Sequence, residues 1–355
     1  MNASPASTIA HETPLRVTRP VVVPGSVLFG PRLFPWAVLA SAATLGIFAP
    51  ASTALAAPWP FAIALVLFGM PHGAADWAVA SSLSKRIGLT SRLAGFTGYL
   101  VLMATSLVLI ALQPSAAALL FLALTMFHFG MADATALRAD DDGPVARWGL
   151  ALGRGMLLLA TAFAMHPAQA WAPFEQIGQA LSPWASTAWQ PELQSLRQFA
   201  VMGVAVGGCL ALAGAMARIR VGHRRTAALD LAEHALVVAM AATTDPLFAV
   251  GCYFLGVHAF RHTRRLACTS AVVAHDPPTS SDSSIAERIL RIHRLSLPLM
   301  WPTALCFVPL CWLLGGPTLQ GLTVASIAFY MITTLPHHLL GLKLPRPDMP
   351  PAAPR

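Results

Sequence analysis

Four histidines lie inside long apolar stretches of the chain: His72 in GMPHGAADW, His128 in FHFGMAD, and His258 and His262 in YFLGVHAFRH. Ionisable side chains within membrane-spanning segments are costly and mark functional sites. Imidazole is a ligand of Fe, Zn, Cu and Ni. Because residues four apart share one helix face, His258 and His262 can both face one ion. The pattern predicts a metal site with four nitrogen ligands.

Carboxyl groups follow two of these histidines. Asp76 comes four residues after the first, Asp133 comes five after the second, and Glu233 lies in another apolar stretch. Four neutral ligands leave the charge of a divalent cation uncompensated, so we expect these carboxylates to accept the outer imidazole N–H groups. Tyr253 precedes the third histidine by five residues. Its hydroxyl needs a polar partner if buried, and we expect it to support the site.

The elements that position these residues are transmembrane helices. Of 355 residues, 56% are hydrophobic and 11% are charged, which is typical of a polytopic membrane protein. The fold class is therefore all-α, a membrane helix bundle with the metal site in its core. A membrane helix needs about 20 apolar residues. By that criterion we predict ten spans, at residues 33–51, 59–83, 94–113, 115–137, 147–165, 198–217, 226–243, 246–267, 297–314 and 319–342.

The depth of the histidines in this arrangement is informative. His72, His128 and His258 fall in the second, fourth and eighth spans, which all run in the same direction. Counted from the outer ends, each lies about a dozen residues in, which places the three at one depth near the bilayer midplane. His262 lies one turn deeper. Matched depth favours a shared site over separately buried, structural histidines.

The distribution of basic residues predicts the orientation. Lys and Arg concentrate in alternate loops, which should face the cytoplasm. We therefore expect a multi-pass protein of the bacterial inner (plasma) membrane with both termini cytoplasmic. The net charge of +8 follows from this orientation, and no soluble stretch is long enough to form a nucleic-acid-binding face. Nucleic acid is excluded as a partner.

Three regions follow from this reading. Residues 1–30 are expected to be a disordered cytoplasmic tail, residues 31–344 the transmembrane catalytic domain, and residues 345–355 a C-terminal tail. Within the domain, residues 268–296 form a cytoplasmic loop that begins as a Ser/Pro linker and ends as an amphipathic surface helix. His275 and His293 in this loop are expected to be solvated. Five cysteines without CxxC spacing indicate no disulfide framework.

Four motifs in order, GMPHGAADW, FHFGMAD, DPLFAVGCYFLGVHAFRH and TLPHHLLG, resemble the Brp/Blh family of membrane-bound carotenoid oxygenases over roughly residues 60 to 342. The resemblance implies cleavage of β-carotene by O₂ at the central 15,15′ double bond to give two retinal molecules. It also implies Fe(2+) held by the four histidines named above. Carotenoid from the bilayer, O₂ and membrane lipid are the expected partners, and a rhodopsin apoprotein is a candidate acceptor of the retinal.

The resemblance also suggests residues that line a substrate pocket. His337 matches a late Pro-His motif of the family, and we expect it either to line the pocket or to lie just outside the metal ligands. Phe127 and Phe129 flank His128 in sequence, and Phe254 lies one turn before His258. We expect these aromatic side chains to line the pocket with His337.

Other classes of protein remain open at this stage. A membrane di-iron desaturase would need three histidine-rich boxes including HxxHH, which the chain lacks. Paired histidines on neighbouring helices could instead ligate haem in an electron-transfer protein. Intramembrane His/Asp pairs could also serve as metal-free relays in a proton-coupled transporter. A Soret band would identify the haem protein, and metal analysis would separate the transporter from the oxygenase.

Overall fold

The computed structural model describes residues 30–75, 89–185, 191–267 and 284–341. These residues are almost wholly helical, and none of them lies in a β-strand, which confirms the all-α class. Most of both predicted tails, together with Asp76 and His275, lies outside the described residues. The helices are α1 (Leu33–Phe48), α2 (Pro50–Ala56), α3 (Pro58–Val66), α4 (Leu89–Leu112), α5 (Pro114–Ala136), α6 (Pro144–Met165), α7 (Pro167–Leu181), α8 (Leu193–Arg220), α9 (Arg224–Thr243), α10 (Pro246–Tyr253), α11 (Phe260–Ala267), α12 (Ile285–Ser296), α13 (Met300–Leu313) and α14 (Leu319–Gly341).

Proline sets many of the helix boundaries. Six helices, α2, α3, α5, α6, α7 and α10, begin at a proline. Proline lacks an N–H, and the first N–H of a helix has no partner in the helix, so proline is well tolerated there. It also disfavours helical geometry in the residue before it. Gln113 and His166, which precede prolines, accordingly have ψ values of 68° and 58°. Breaks of this kind divide the apolar sequence into separate helices.

The described residues contain fewer helices of full membrane-spanning length than the ten spans predicted. Among the described residues, six helices are long and apolar enough to cross a membrane: Pro50–Ala75, Pro114–Ala136, Pro144–Met165, Leu193–Arg220, Arg224–Thr243 and Leu319–Gly341. The predicted first, third and ninth spans correspond to shorter apolar helices, Leu33–Phe48, Phe96–Leu112 and Thr303–Leu313. The predicted eighth span is divided. A π-helical segment, Phe254–Ala259, joins α10 to α11, and α11 carries three arginines. Ten full spans are thus not confirmed.

Close helix contacts surround His128. A Cβ at Gly130 on α5 would lie 1.8 Å from the Ala151 carbonyl oxygen of α6. On the facing helix, a Cβ at Gly155 would lie 2.0 Å from the Met126 carbonyl oxygen. The two backbones therefore touch on both sides of His128. Small residues at such positions are characteristic of helix packing in membranes.

Gly130→Ala is expected to destabilise the protein because the added methyl group has no space and must separate α5 from α6. Overpacking of this kind costs about 1–3 kcal/mol, so the midpoint of thermal unfolding in detergent should fall. Gly208→Ala on α8 is the matched control, since a Cβ there meets no atom within 4 Å among the described residues. Replacing a helical Gly by Ala without a clash should stabilise by about 0.5–1 kcal/mol. Equal midpoints for the two variants would contradict the close packing.

The amphipathic helix predicted after residue 284 exists and packs on the bundle. α12 begins with a capping box formed by Ser284 and Glu287. Its buried Ile289 and Ile292 cluster with Leu266 of α11 and with Ala75. His293, which we expected to be solvated, is half-buried, and its Nε2 contacts the carbonyl of Leu67. That carbonyl lies at the break between α3 and the helical residues 69–75, and residue 71, four positions on, is a proline that has no N–H to donate to it.

Candidate functional site

The four predicted ligands come together in the core of the bundle. The ring centroid of His72 lies 5.1 Å from that of His262 and 5.6 Å from that of His258. His128 lies 4.7 Å from His258, and His258 lies 6.2 Å from His262. All four side chains are at least nine-tenths buried. Residues far apart in sequence therefore form one imidazole cluster.

A fifth imidazole, His337 of α14, belongs to the same cluster. Its ring lies 4.9 Å from that of His128, 5.1 Å from that of His72 and 5.9 Å from that of His262. The neighbouring His338 has its Nδ1 3.1 Å from Nδ1 of His128. Sequence reasoning placed His337 either in the pocket lining or just outside the ligands, and it left His338 without a role. The TLPHHLLG motif was the signal that pointed to both.

Hydrogen bonds orient two of the rings. Nδ1 of His72 lies 2.8 Å from the Phe68 carbonyl oxygen. Since a carbonyl only accepts, Nδ1 carries the proton, and Nε2 has the lone pair. His128 is held at Nδ1 by His338, and its Nε2 is buried without a hydrogen-bond partner in the described part of the chain. Both ring nitrogens of His258 are likewise buried without such partners there.

The imidazole nitrogens of this cluster are donor atoms of the kind that bind a metal ion. Buried nitrogens without hydrogen bonds are rare and need an explanation such as an ion. Imidazoles around one ion, with metal–nitrogen bonds of about 2.1 Å, have ring centroids about 5 Å apart, close to the separations of 4.7 to 6.2 Å found here. Across the described ranges, however, no three His, Cys, Asp or Glu side chains already converge as formed metal ligands. Ring rotations within the cluster would be needed to bind an ion.

The π-helical segment shapes the backbone at His258. It runs from Phe254 to Ala259 between two α-helices. Single π-helical turns of this kind occur often at functional sites. Gly256 permits the close approach of α1, since a Cβ there would lie 2.7 Å from Cγ1 of Val38. The segment presents His258 and His262 to the cluster with their rings 26° from parallel.

The predicted carboxylates contact arginines. Asp133 Oδ2 lies 3.0 Å from Arg154 Nη1 and 2.8 Å from Arg261 Nη1. Glu233 Oε1 lies 2.7 Å from Arg154 Nη1 and 2.6 Å from Arg261 Nη2. All four side chains are fully buried. The hydroxyl of Tyr253 donates to Asp133 Oδ2 at 2.6 Å. Asp133, Glu233 and Tyr253 thus lie together beside the imidazole cluster, in a charged network.

The network extends to other helices. Arg32, just before α1, donates to Asp230 at 2.6 Å, and Trp36 donates to Glu233 at 2.8 Å. Arg218 of α8 also pairs with Asp230. A buried carboxylate requires such pairing because the loss of hydration is otherwise uncompensated. Sequence reasoning missed Arg154 and Arg261, although two arginines inside apolar stretches were a visible signal.

A cavity of about 320 Å³ opens beside the histidines, a size within the range of ligand pockets. Phe129 and Phe254 are among its lining residues, as are four histidines, His72, His128, His258 and His337. In the described part of the chain, its lining contains no Asp, Glu, Lys or Arg. Phe127 is outside this lining, and its ring contacts Trp148 and His338. The cavity suits an uncharged, apolar molecule.

Comparisons with known proteins agree with these features. The model of the family described as "Beta-carotene 15,15'-dioxygenase" matches residues 63–345. A protein named beta-carotene 15,15'-dioxygenase from an uncultured marine bacterium, 66A03, is 45% identical over 74 residues, which are 20% of this chain and 27% of that protein. A probable beta-carotene 15,15'-dioxygenase Blh from Halobacterium salinarum is 27% identical over 320 residues, 85% of this chain and 88% of that one. No solved structure matches the chain.

Proposed function

The chain belongs to the beta-carotene 15,15′-dioxygenase family, and from that premise we propose that it cleaves β-carotene, or a related carotenoid, at the central 15,15′ double bond with O₂. The observation that carries this proposal is the cluster of buried imidazoles on the wall of an uncharged, apolar cavity. Carotenoids dissolve in the hydrocarbon core of the bilayer. A site among helices of membrane-spanning length can take them directly from the lipid.

The reaction balances without another redox cofactor. The carbon–carbon double bond breaks, one oxygen atom of O₂ joins each of the two carbons, and two aldehydes, both retinal, leave. No proton and no external electron are consumed. The protein therefore needs to hold the alkene and O₂ together and to keep the rest of the polyene in register.

We propose that Fe(2+) is the metal, held by His72, His128, His258 and His262, with His337 beside it. A bound iron would supply the redox-active centre that makes O₂ reactive toward the alkene. The chain's own residues prepare the ligands. The Phe68 carbonyl fixes the tautomer of the first ring, and His338 fixes the orientation of the second. Such outer contacts raise metal affinity and keep the rings in place.

The cavity wall supplies the selectivity. Aromatic rings of Phe129 and Phe254 lie 4.5 Å and 6.0 Å from the ring of His258, measured between centroids. They can stack on a conjugated chain and hold it against the cluster. Among the described residues, no charged side chain lines this space. Water that enters it therefore finds no charged group to hydrate. Exclusion of water protects the reaction from side products.

Expression in a β-carotene-producing bacterium tests the function. Cells carrying the protein should lose their yellow colour and yield retinal on extraction, measured by liquid chromatography. Cells carrying His258→Ala at equal protein level are the matched control and should stay yellow. Unchanged carotene in cells with well-expressed wild-type protein would contradict the proposal.

A further inference from the structure

Apart from the histidines, the residues that line the cavity fall into two groups, and we call the space along each group an arm. One arm runs toward Phe174 on α7 and Leu247 on α10. Leu247 is eleven residues before His258, roughly 16 Å along a helix axis at 1.5 Å per residue. Aromatic residues at this end, Phe61, Phe163 and Phe174, are all nine-tenths or more buried. This arm is closed by the protein core.

The other arm reaches toward two helices that flank α14. From α4 it is lined by Phe96, Tyr99, Leu100 and Met103, and from α13 by Thr303 and Cys306. α4 and α13 each pack on α14, and in the described part of the chain they do not pack extensively on each other. Thr334 and His337, on the α14 face between them, also line the cavity. This arm therefore leads from the histidines to a gap between α4 and α13.

Exposure distinguishes this arm from the closed one. Phe96 and Leu100 are 46% and 45% exposed, and Cys306 is also exposed. These residues line the cavity and yet contact the surroundings, so within the described ranges the cavity wall opens at this place. Neighbouring surface is strongly apolar, with Trp301 and Leu305 at 72% and 70% exposure. Such a surface is suited to lipid and not to water.

We propose that the gap between α4 and α13, bordered by Leu100, Thr303 and Cys306, is the lateral portal through which a long apolar polyene passes between the bilayer and the histidines. This inference rests on the proposed function. It gives the substrate a defined path: one half enters the closed arm, the other half remains in the open arm, and the middle of the chain lies over the imidazoles.

The variant Cys306→Trp tests the portal by narrowing it. Cys209→Trp is the matched control, because Cys209 is also an exposed free cysteine but lies on α8, outside the cavity lining. Uptake is measured as the rate at which β-carotene in phosphatidylcholine vesicles acquires induced circular dichroism after mixing with the protein, a readout that needs no cleavage. We expect at least a tenfold slower uptake and a similar fall in kcat/KM for Cys306→Trp, with bound iron unchanged. Equal rates for the two variants would overturn the portal.

Reversible chemical modification of Cys306 distinguishes a blocked portal from misfolding of the Cys306→Trp variant. In a chain whose other four cysteines, Cys209, Cys252, Cys268 and Cys311, are replaced by Ser, the folded protein is treated with benzyl methanethiosulfonate. Uptake should slow at least tenfold and recover after dithiothreitol. Slow uptake without recovery, or no slowing after complete modification, would contradict the proposal. Wild-type protein that takes up carotene without forming retinal would contradict the proposed function while leaving the portal supported.

Discussion

His258→Ala is expected to abolish retinal formation and to remove most of the bound iron. This side chain lies at the centre of the cluster, with ring centroids of His128, His72 and His262 within 4.7 to 6.2 Å. Both of its nitrogens are buried without hydrogen-bond partners in the described part of the chain. Replacing its imidazole by a methyl group leaves an apolar gap, so a bound ion would lack one nitrogen ligand. Iron per protein by plasma mass spectrometry and retinal by liquid chromatography measure the two effects.

A graded series separates ligands from residues that position them. His338→Ala removes the partner of His128 Nδ1, and loss of such an outer contact typically costs about 10–100-fold in metal affinity or activity. The loss for His258→Ala should exceed that range. His166→Gln is the control, because it lies at the junction of α6 and α7 and not in the cluster, and it should retain both iron and activity. Retained iron and cleavage in His258→Ala would rule out this ligand set.

The cluster itself was predictable because helix geometry carries the information. His72, His128 and His258 lie at a matched distance from the ends of apolar segments that the ten-span prediction orients in the same direction. Depth in a bilayer is a shared coordinate for all spans, so residues distant in sequence can be compared by it. The same reasoning could not reach His337, since its position behind Pro336, near the end of α14 predicted to be cytoplasmic, gave it a different apparent depth. Contact across the bundle brings it to His128 and His72.

The network of charges was not predictable in detail. The sequence suggested carboxylates that compensate a metal, whereas Asp133 and Glu233 each contact Arg154 and Arg261. Composition shows that an intramembrane charge needs a partner, but it does not say which helix supplies it. Glu233 and Arg154 are 79 positions apart. The ten predicted spans are not confirmed for a related reason: a hydropathy window cannot detect a π-helical segment such as that at Phe254–Ala259, which separates two short α-helices.

Glu233→Gln is expected to cause the largest loss of stability. The carboxylate accepts from Arg154 and Arg261 at 2.7 and 2.6 Å and from Arg32 at 3.3 Å, in a fully buried setting. The amide keeps the volume but removes the charge, which leaves buried guanidinium groups undercompensated. Breaking one partner of a buried ion pair costs about 3–5 kcal/mol. The midpoint of thermal unfolding in detergent should fall accordingly, by several degrees.

The chain offers a matched exposed carboxylate as the control. Asp141 pairs with Arg138 at 2.7 Å, and the two side chains are 53% and 34% exposed. An exposed pair contributes only about 0–1 kcal/mol, so Asp141→Asn should leave the midpoint nearly unchanged. A double variant, Glu233→Gln with Arg261→Met, should recover part of the loss, because it removes one of the uncompensated charges together with its partner. If Glu233→Gln unfolds at the same midpoint as Asp141→Asn, the buried network does not stabilise the bundle.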